Sequence, residues 1–330
     1  MSTIITRKAW GTAHKQEVFL FKLENSAGAF VELTNYGATL VSINVPDKEG
    51  RLGNVIIGFP TLESYLDDTC YIGSTIGRYA NRVSNAQFIL DDITYQLEAN
   101  DGVNANHSAS SGFNSKVFGF EINDDELVFV LHSNDEEGGY PGNLSLRVTY
   151  TWSEDNELSI HYKAVSDKDT FANFTNHAYL NLSNGDLTIS DHQLDISAKT
   201  IITTGNDYIP TGEITPAEPI VLDLNKGINS YYILDKGKLA ANNYAALLTE
   251  SSSGRTLTIT TSYPGIFLYT GDYLHSKHLN LNNRYCQPFE GLCLECQLYP
   301  DAMNRPEFPS ALLLKHEVYS EYINLKFGLI

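Results

Sequence analysis

The chain has 330 residues, of which 42% are hydrophobic and 19% charged, enough apolar material for a sizeable core. A formal net charge of -18 argues against a nucleic-acid or anionic-membrane partner and offers phosphorylated ligands a poor reception. No stretch reads as a signal peptide or a bilayer-spanning helix, and the four cysteines, Cys70, Cys286, Cys293 and Cys296, suit a reducing compartment, so a cytoplasmic location is expected.

In chain order, the first helical pattern is short and covers residues 61–66. Residues 86–98, AQFILDDITYQLE, read as a hairpin turning at Asp91-Asp92. Alternating runs follow at 126–133, 143–152 and 157–165, separated by EEGGYPG and SEDN turns. A second short helix is expected near Ala240, and strands resume at 255–263 and 265–271. Val, Ile, Thr, Tyr and Phe crowd these runs, as strands prefer. Repeats, low-complexity tracts and linker-like segments are absent from the sequence, so the expectation is a single all-β domain over 1–330, a large antiparallel sandwich or barrel with few short helices.

The last strand pattern, GLCLECQLYP at 291–300, carries one ionisable residue at its centre, Glu295. A strand alternates faces, so Leu292, Leu294 and Cys296 point one way and Cys293, Glu295 and Gln297 the other. Glu295 thus falls on a mixed face that suits a pocket wall, where a carboxylate must be solvated, paired or retuned.

Cys293-x-x-Cys296 has half the spacing of a zinc site, but an offset of three on a strand sends the thiols to opposite faces, and core or pocket-wall cysteines are the better reading. His275-x-x-His278 lies in a polar loop without a clear third ligand and reads as surface histidines. The GxSxG, P-loop, GxGxxG and HExxH signatures are absent. Three polar clusters remain: GRYANR with Arg78, Asn81 and Arg82, a Gly/Ser/Asn-rich loop with Asn106 and His107, and FTNHAYLNL, in which Asn176 and His177 interrupt an apolar strand. Taken singly, GRYANR reads as a solvated turn and His177 as a hydrogen-bonded core histidine.

Taken together and in order, TNYGATLVSI (34–43), GRYANRVSNAQF (77–88), the loop ending at His107, TNHAYLNL (175–182), YIPTGEI (208–214) and LECQLYPDAMNRPEFPS (294–310) resemble the aldose 1-epimerases, the galactose mutarotase family, over nearly the whole chain. The resemblance implies a twisted antiparallel β-sandwich with a sugar cleft on one face, and exchange of α and β anomers of a free aldohexose such as glucose or galactose. It implies Glu295 as general base, His177 as general acid at the ring oxygen, His107 as a second histidine there, and Arg82 with Asn81 as holders of sugar hydroxyls. It implies no metal and no organic cofactor, and a free hexose or reducing disaccharide as the only partner of a monomer or homodimer. Unperturbed Glu and His titrate near ~4.3 and ~6.5, so at neutral pH a Glu⁻/His⁺ pair is expected to supply both base and acid with modest tuning.

Three positions depart from the family pattern. His107-Ser108-Ala109 stands where His-Gly-Gly is usual, which adds two Cβ atoms to a tight loop. Asn229 stands where many members have an Asp that binds sugar hydroxyls, unless Asp223 or Asp235 takes that part. Phe267 stands where a Gln is common, exchanging a hydroxyl contact for a ring that can stack on a sugar face.

Overall fold

A computed structural model describes residues 3–184 and 188–330. Strands dominate it, and most fall into three antiparallel sheets. The first has five strands in chain order, Ile4–Ala13, Gln16–Glu24, Phe30–Thr34, Thr39–Pro46 and Leu52–Asn54. The second has eight, in the spatial order Gly119–Asn123, Glu126–Ser133, Leu144–Trp152, Glu157–Ser166, Tyr319–Leu329, Arg255–Thr261, Ala246–Glu250 and His192–Ile196. The third runs Pro210–Pro216, Ala198–Thr204, Asn229–Leu234, Gly265–Tyr269 and Cys293–Gln297.

The period-two pattern explains how these sheets stack. Along Leu144–Trp152 every second residue is buried, from Leu144 through Leu146, Val148 and Tyr150 to Trp152. One continuous core joins Phe21 and Val31 of the first sheet, Leu146 and Ile160 of the second, and Leu268 and Leu294 of the third. The architecture is an all-β sandwich, with sheet faces sharing a single apolar layer.

Local expectations hold at the turns. The 86–98 hairpin pairs Gln87–Leu90 with Ile93–Gln96, and Asp91 and Asp92 both take positive φ (50° and 62°), the conformation of a two-residue turn that matches strand twist. The two helices are Leu62–Leu66 and Lys236–Asn242, the second capped by Asp235, whose carboxylate accepts from the Lys238 N–H. No helix among the described residues is long and apolar enough to cross a membrane.

The third sheet positions the site. One face sends Ile266, Leu268, Leu294 and Cys296 into the main core. The other carries two cross-strand rows, Asn229–Tyr269–Cys293 and Tyr231–Phe267–Glu295. Gly265 permits the second row, because a Cβ there would lie 2.2 Å from the Tyr231 ring.

GRYANR is not a solvated turn. Arg78 is fully buried and donates to the carbonyls of Pro141 and Gly142 and to the Ser133 hydroxyl. Desolvation is offset there by charge-assisted bonds that pin the 133–142 segment.

Candidate active site

A cleft of about 230 Å³ opens over the two cross-strand rows of the third sheet. It is smaller than the ~300–1,000 Å³ of drug-sized sites, as suits one small polar ligand. Glu295 forms part of its floor and is 2% exposed. Burial drives its carboxyl up to about 8, against the opposing charge of Arg82. Among the described residues its Oε2 has no hydrogen-bond partner, an expensive arrangement unless a ligand completes it.

His177 faces this carboxyl. The short strand Thr175–Asn176 pairs with Thr75–Ile76, and the His177 N–H continues the pairing by donating to the Ser74 carbonyl at 2.9 Å. Asn176 shapes the turn: its amide donates to Gly73 O, and its Oδ1 accepts from the Ala178 N–H. The imidazole packs among Tyr71, Tyr179, Tyr269 and His107. Its Nε2 lies 3.7 Å from Glu295 Oε1, beyond a direct hydrogen bond but with both atoms aimed at the same space. Burial pushes this imidazole down to about 4.

The expected Glu⁻/His⁺ state is therefore reversed by burial. At neutral pH a protonated Glu295 and a neutral His177 are favoured, because both groups lose hydration. The proton count is unchanged: one proton is held between the two side chains in either arrangement.

His107 reaches the cleft through a two-residue pairing of Ala105–Asn106 with Arg82–Val83. That register sets His107 beside Asn81, whose backbone N–H donates to His107 Nδ1 at 3.2 Å, while the His107 N–H donates to Asn81 O. A backbone amide can only donate, so Nδ1 is the acceptor and the neutral ring carries its proton on Nε2. Burial and the His177 ring hold His107 well below its ordinary value. His107, His177 and Glu295 offer ligating atoms all within 4.8 Å of one another. His107, however, has no free lone pair in this tautomer, so the trio is wired for handling protons rather than for holding a cation.

Arg82 lines the same cleft. Its Nε donates to Asp101 Oδ2 at 2.6 Å, and its guanidinium lies 4.9 Å from the centroid of the Tyr208 ring. Asn81 also lines the cleft, but its Oδ1 is spent locally, accepting from the Arg82 N–H at 2.8 Å. Asn229 and Phe267 line it as well. Asn229 Oδ1 is buried and without a partner among the described residues, and Phe267 stands directly across the ladder from Glu295. Asp223 and Asp235 are absent from the lining: Asp223 closes a turn on Asn225, and Asp235 caps a helix and pairs with Lys199. The loop departure is accommodated at a cost, since Ser108 and Ala109 both sit at positive φ (64° and 49°). Ser108 recovers part of it by accepting from the Tyr79 N–H.

The description "aldose 1-epimerase" matches residues 20–326 of the chain. The chain belongs to the aldose 1-epimerase family. It is 34% identical over 313 residues to the galactose mutarotases of Mus musculus and Homo sapiens, covering 90% of this chain and 91% of each relative. It is 31% identical over 328 residues to the aldose 1-epimerase of Escherichia coli, covering 93% and 94%. Among solved structures, an aldose epimerase homologue from C. elegans superposes with a TM-score of 0.86 at 26% identity, covering 94% of this chain and 99% of that one. A galactose 1-epimerase from Lactobacillus acidophilus superposes at 0.84 and 25%, covering 99% of both. As a member of this family the chain is an isomerase that acts on carbohydrates.

This epimerase-family cleft also contains tyrosines that sequence reasoning did not single out. Tyr71, Tyr179, Tyr208, Tyr269 and Tyr273 supply walls, and Cys70 and His275 join them. His275 remains exposed, with Nδ1 facing Tyr273 O, while His278 pairs with Asp67 on the surface. The tyrosines carried no local signal, since 20 tyrosines are spread along the chain and most read as core and strand surface.

Proposed function

We propose that this protein interconverts the α and β anomers of free aldohexoses such as glucose and galactose by acid/base ring opening, with Glu295 as general base and His177 as general acid. The observation that carries this reading is the buried pair itself: Glu295 Oε1 faces His177 Nε2 across 3.7 Å, and Glu295 Oε2 has no partner among the described residues, in a sugar-sized cleft.

The C1 hydroxyl of the sugar donates to Glu295, which gives the carboxylate the hydrogen bond that burial denies it and draws the shared proton onto His177. Glu295 then takes the C1 hydroxyl proton and C1 becomes a carbonyl carbon. The C1–O5 bond breaks, its electron pair stays on the ring oxygen, and the His177 proton passes to that oxygen. Rotation about C1–C2 presents the other face of the aldehyde, and the steps run backward. Ring opening converts a buried ion pair into two neutral groups, the state that low dielectric prefers. His107 Nε2–H donates near the ring oxygen, and Arg82 and Asn229 hold hydroxyls. Each positioned acid or base supplies ~10²–10⁴ in rate.

Polarimetry on freshly dissolved α-D-glucose and α-D-galactose tests the reading. Faster approach to the same final rotation supports it. A decay equal to that of the buffer for both sugars overturns it.

A further inference from the structure

Cys293 lies two residues before Glu295 on the same strand, so both side chains point to the same face. Its thiol is fully buried, and its Sγ lies 3.5 Å from His177 Nδ1, the ring nitrogen turned away from Glu295. His177 is thus held between two residues of one strand, the carboxyl in front of Nε2 and the sulfur behind Nδ1.

We propose that Cys293 is the positioning residue for His177, a partner able to follow the imidazole through both of its protonation states. The neutral imidazole that takes the Glu295 proton must present a lone pair at Nε2, so it carries its own proton on Nδ1 and donates it to the Cys293 sulfur. The imidazolium carries a proton on both nitrogens, and its Nδ1–H donates to the same sulfur, so the contact persists while Nε2 gains and loses its proton. Burial pushes the thiol well above its ordinary value, so it stays an S–H and brings no charge of its own. A carboxylate at this place would instead clamp His177 as the cation, whereas the neutral sulfur accepts from Nδ1–H without favouring the charged ring. A ring that must gain and lose a proton at Nε2 is served by a neutral acceptor that keeps Nδ1–H in place through both steps.

The inference rests on His177 acting as the proton donor, and its test separates the two claims. Cys293→Ala removes the sulfur that accepts from Nδ1–H in both states. The expected result is a fall in kcat of about tenfold with KM within about twofold, the size of one lost hydrogen bond. Cys293→Ser keeps a donor and acceptor at that place and is expected to hold kcat within about threefold of wild type. Cys293→Asp is expected to move the acid limb of the kcat/KM profile upward, since a carboxylate favours the imidazolium. Nitrogen-15 shifts of His177 report the Nδ1 environment without any turnover, and are expected to move in the alanine variant and to be largely restored in the serine variant. An alanine variant with wild-type kcat and unchanged His177 shifts overturns the inference. So does a serine variant as impaired as alanine with wild-type thermal stability, because packing by sulfur would then be the cause. A wild-type protein without any anomerase activity fails the parent reading instead, and the nitrogen shifts still decide the contact.

Discussion

Asn81 and His107 hold each other by two hydrogen bonds of 3.2 Å, Asn81 N–H to His107 Nδ1 and His107 N–H to Asn81 O. Because one of them ends on a ring nitrogen, the backbone chooses the histidine tautomer. His107 is accordingly expected to show a proton on Nε2 only in nitrogen-15 spectra, and to resist the second proton where an ordinary histidine would take it up, because burial and the His177 ring hold it well below its ordinary value. His107→Ala is expected to lower kcat/KM about 100-fold, the usual loss when one preorganised donor is removed. A doubly protonated His107 at pH 6 would contradict the assignment.

The Glu295–His177 pair predicts a bell-shaped pH profile. Between about pH 4 and about pH 8 the pair holds one proton, the count the reaction needs. Below that window His177 gains a second proton for the pair, and no base remains. Above it the carboxyl proton is lost while His177 is neutral, and no acid remains. The measurement is kcat/KM by polarimetry across pH 3.5–9.5; a profile that is flat through pH 9 would remove Glu295 from the alkaline limb.

Glu295→Gln separates activity from stability. Loss of the base is expected to cost on the order of 10³ in kcat. Stability moves the other way as pH rises. The folded-state carboxyl is raised to about 8 from an ordinary 4.5, so between those values the unfolded chain releases a proton that the folded chain keeps, and the wild type loses stability with increasing pH. The amide does not titrate. The variant's melting temperature is therefore expected to exceed that of the wild type by more at pH 9 than at pH 5, and an equal difference at both would show that the carboxyl is not desolvated.

The 107–109 loop stores backbone strain that can be relieved. Ala109, at φ 49°, makes no side-chain hydrogen bond, so Ala109→Gly is expected to stabilise the fold by about 1 kcal/mol. Ser108→Gly relieves similar strain but forfeits the bond from Tyr79 N–H and the 3.4 Å contact to Tyr140, so its net effect is expected near zero or unfavourable. Thermal midpoints of the two variants check the ordering.

Much of the architecture was legible in the sequence because strand periodicity is a local property. The alternation around Glu295 assigned its face, and the register with Gly265–Tyr269 and the buried Leu294 and Cys296 agree. The candidate residues Glu295, His177, His107, Arg82, Asn81, Asn229 and Phe267 were legible as a resemblance, and the fold brings all seven to one cleft. What the sequence could not supply was environment. GRYANR looks solvated, yet Arg78 is buried because its bonding partners lie 55–64 residues away. The tyrosine walls, the sulfur behind His177 and the inverted proton preference of Glu295 and His177 likewise arise from groups far apart in the chain. Side-chain chemistry and strand alternation were thus determined by the sequence itself. Desolvation and hydrogen-bond partnership, which decide the charge a carboxyl or an imidazole carries, depend on what packs within a few ångströms, and only the tertiary structure decided that.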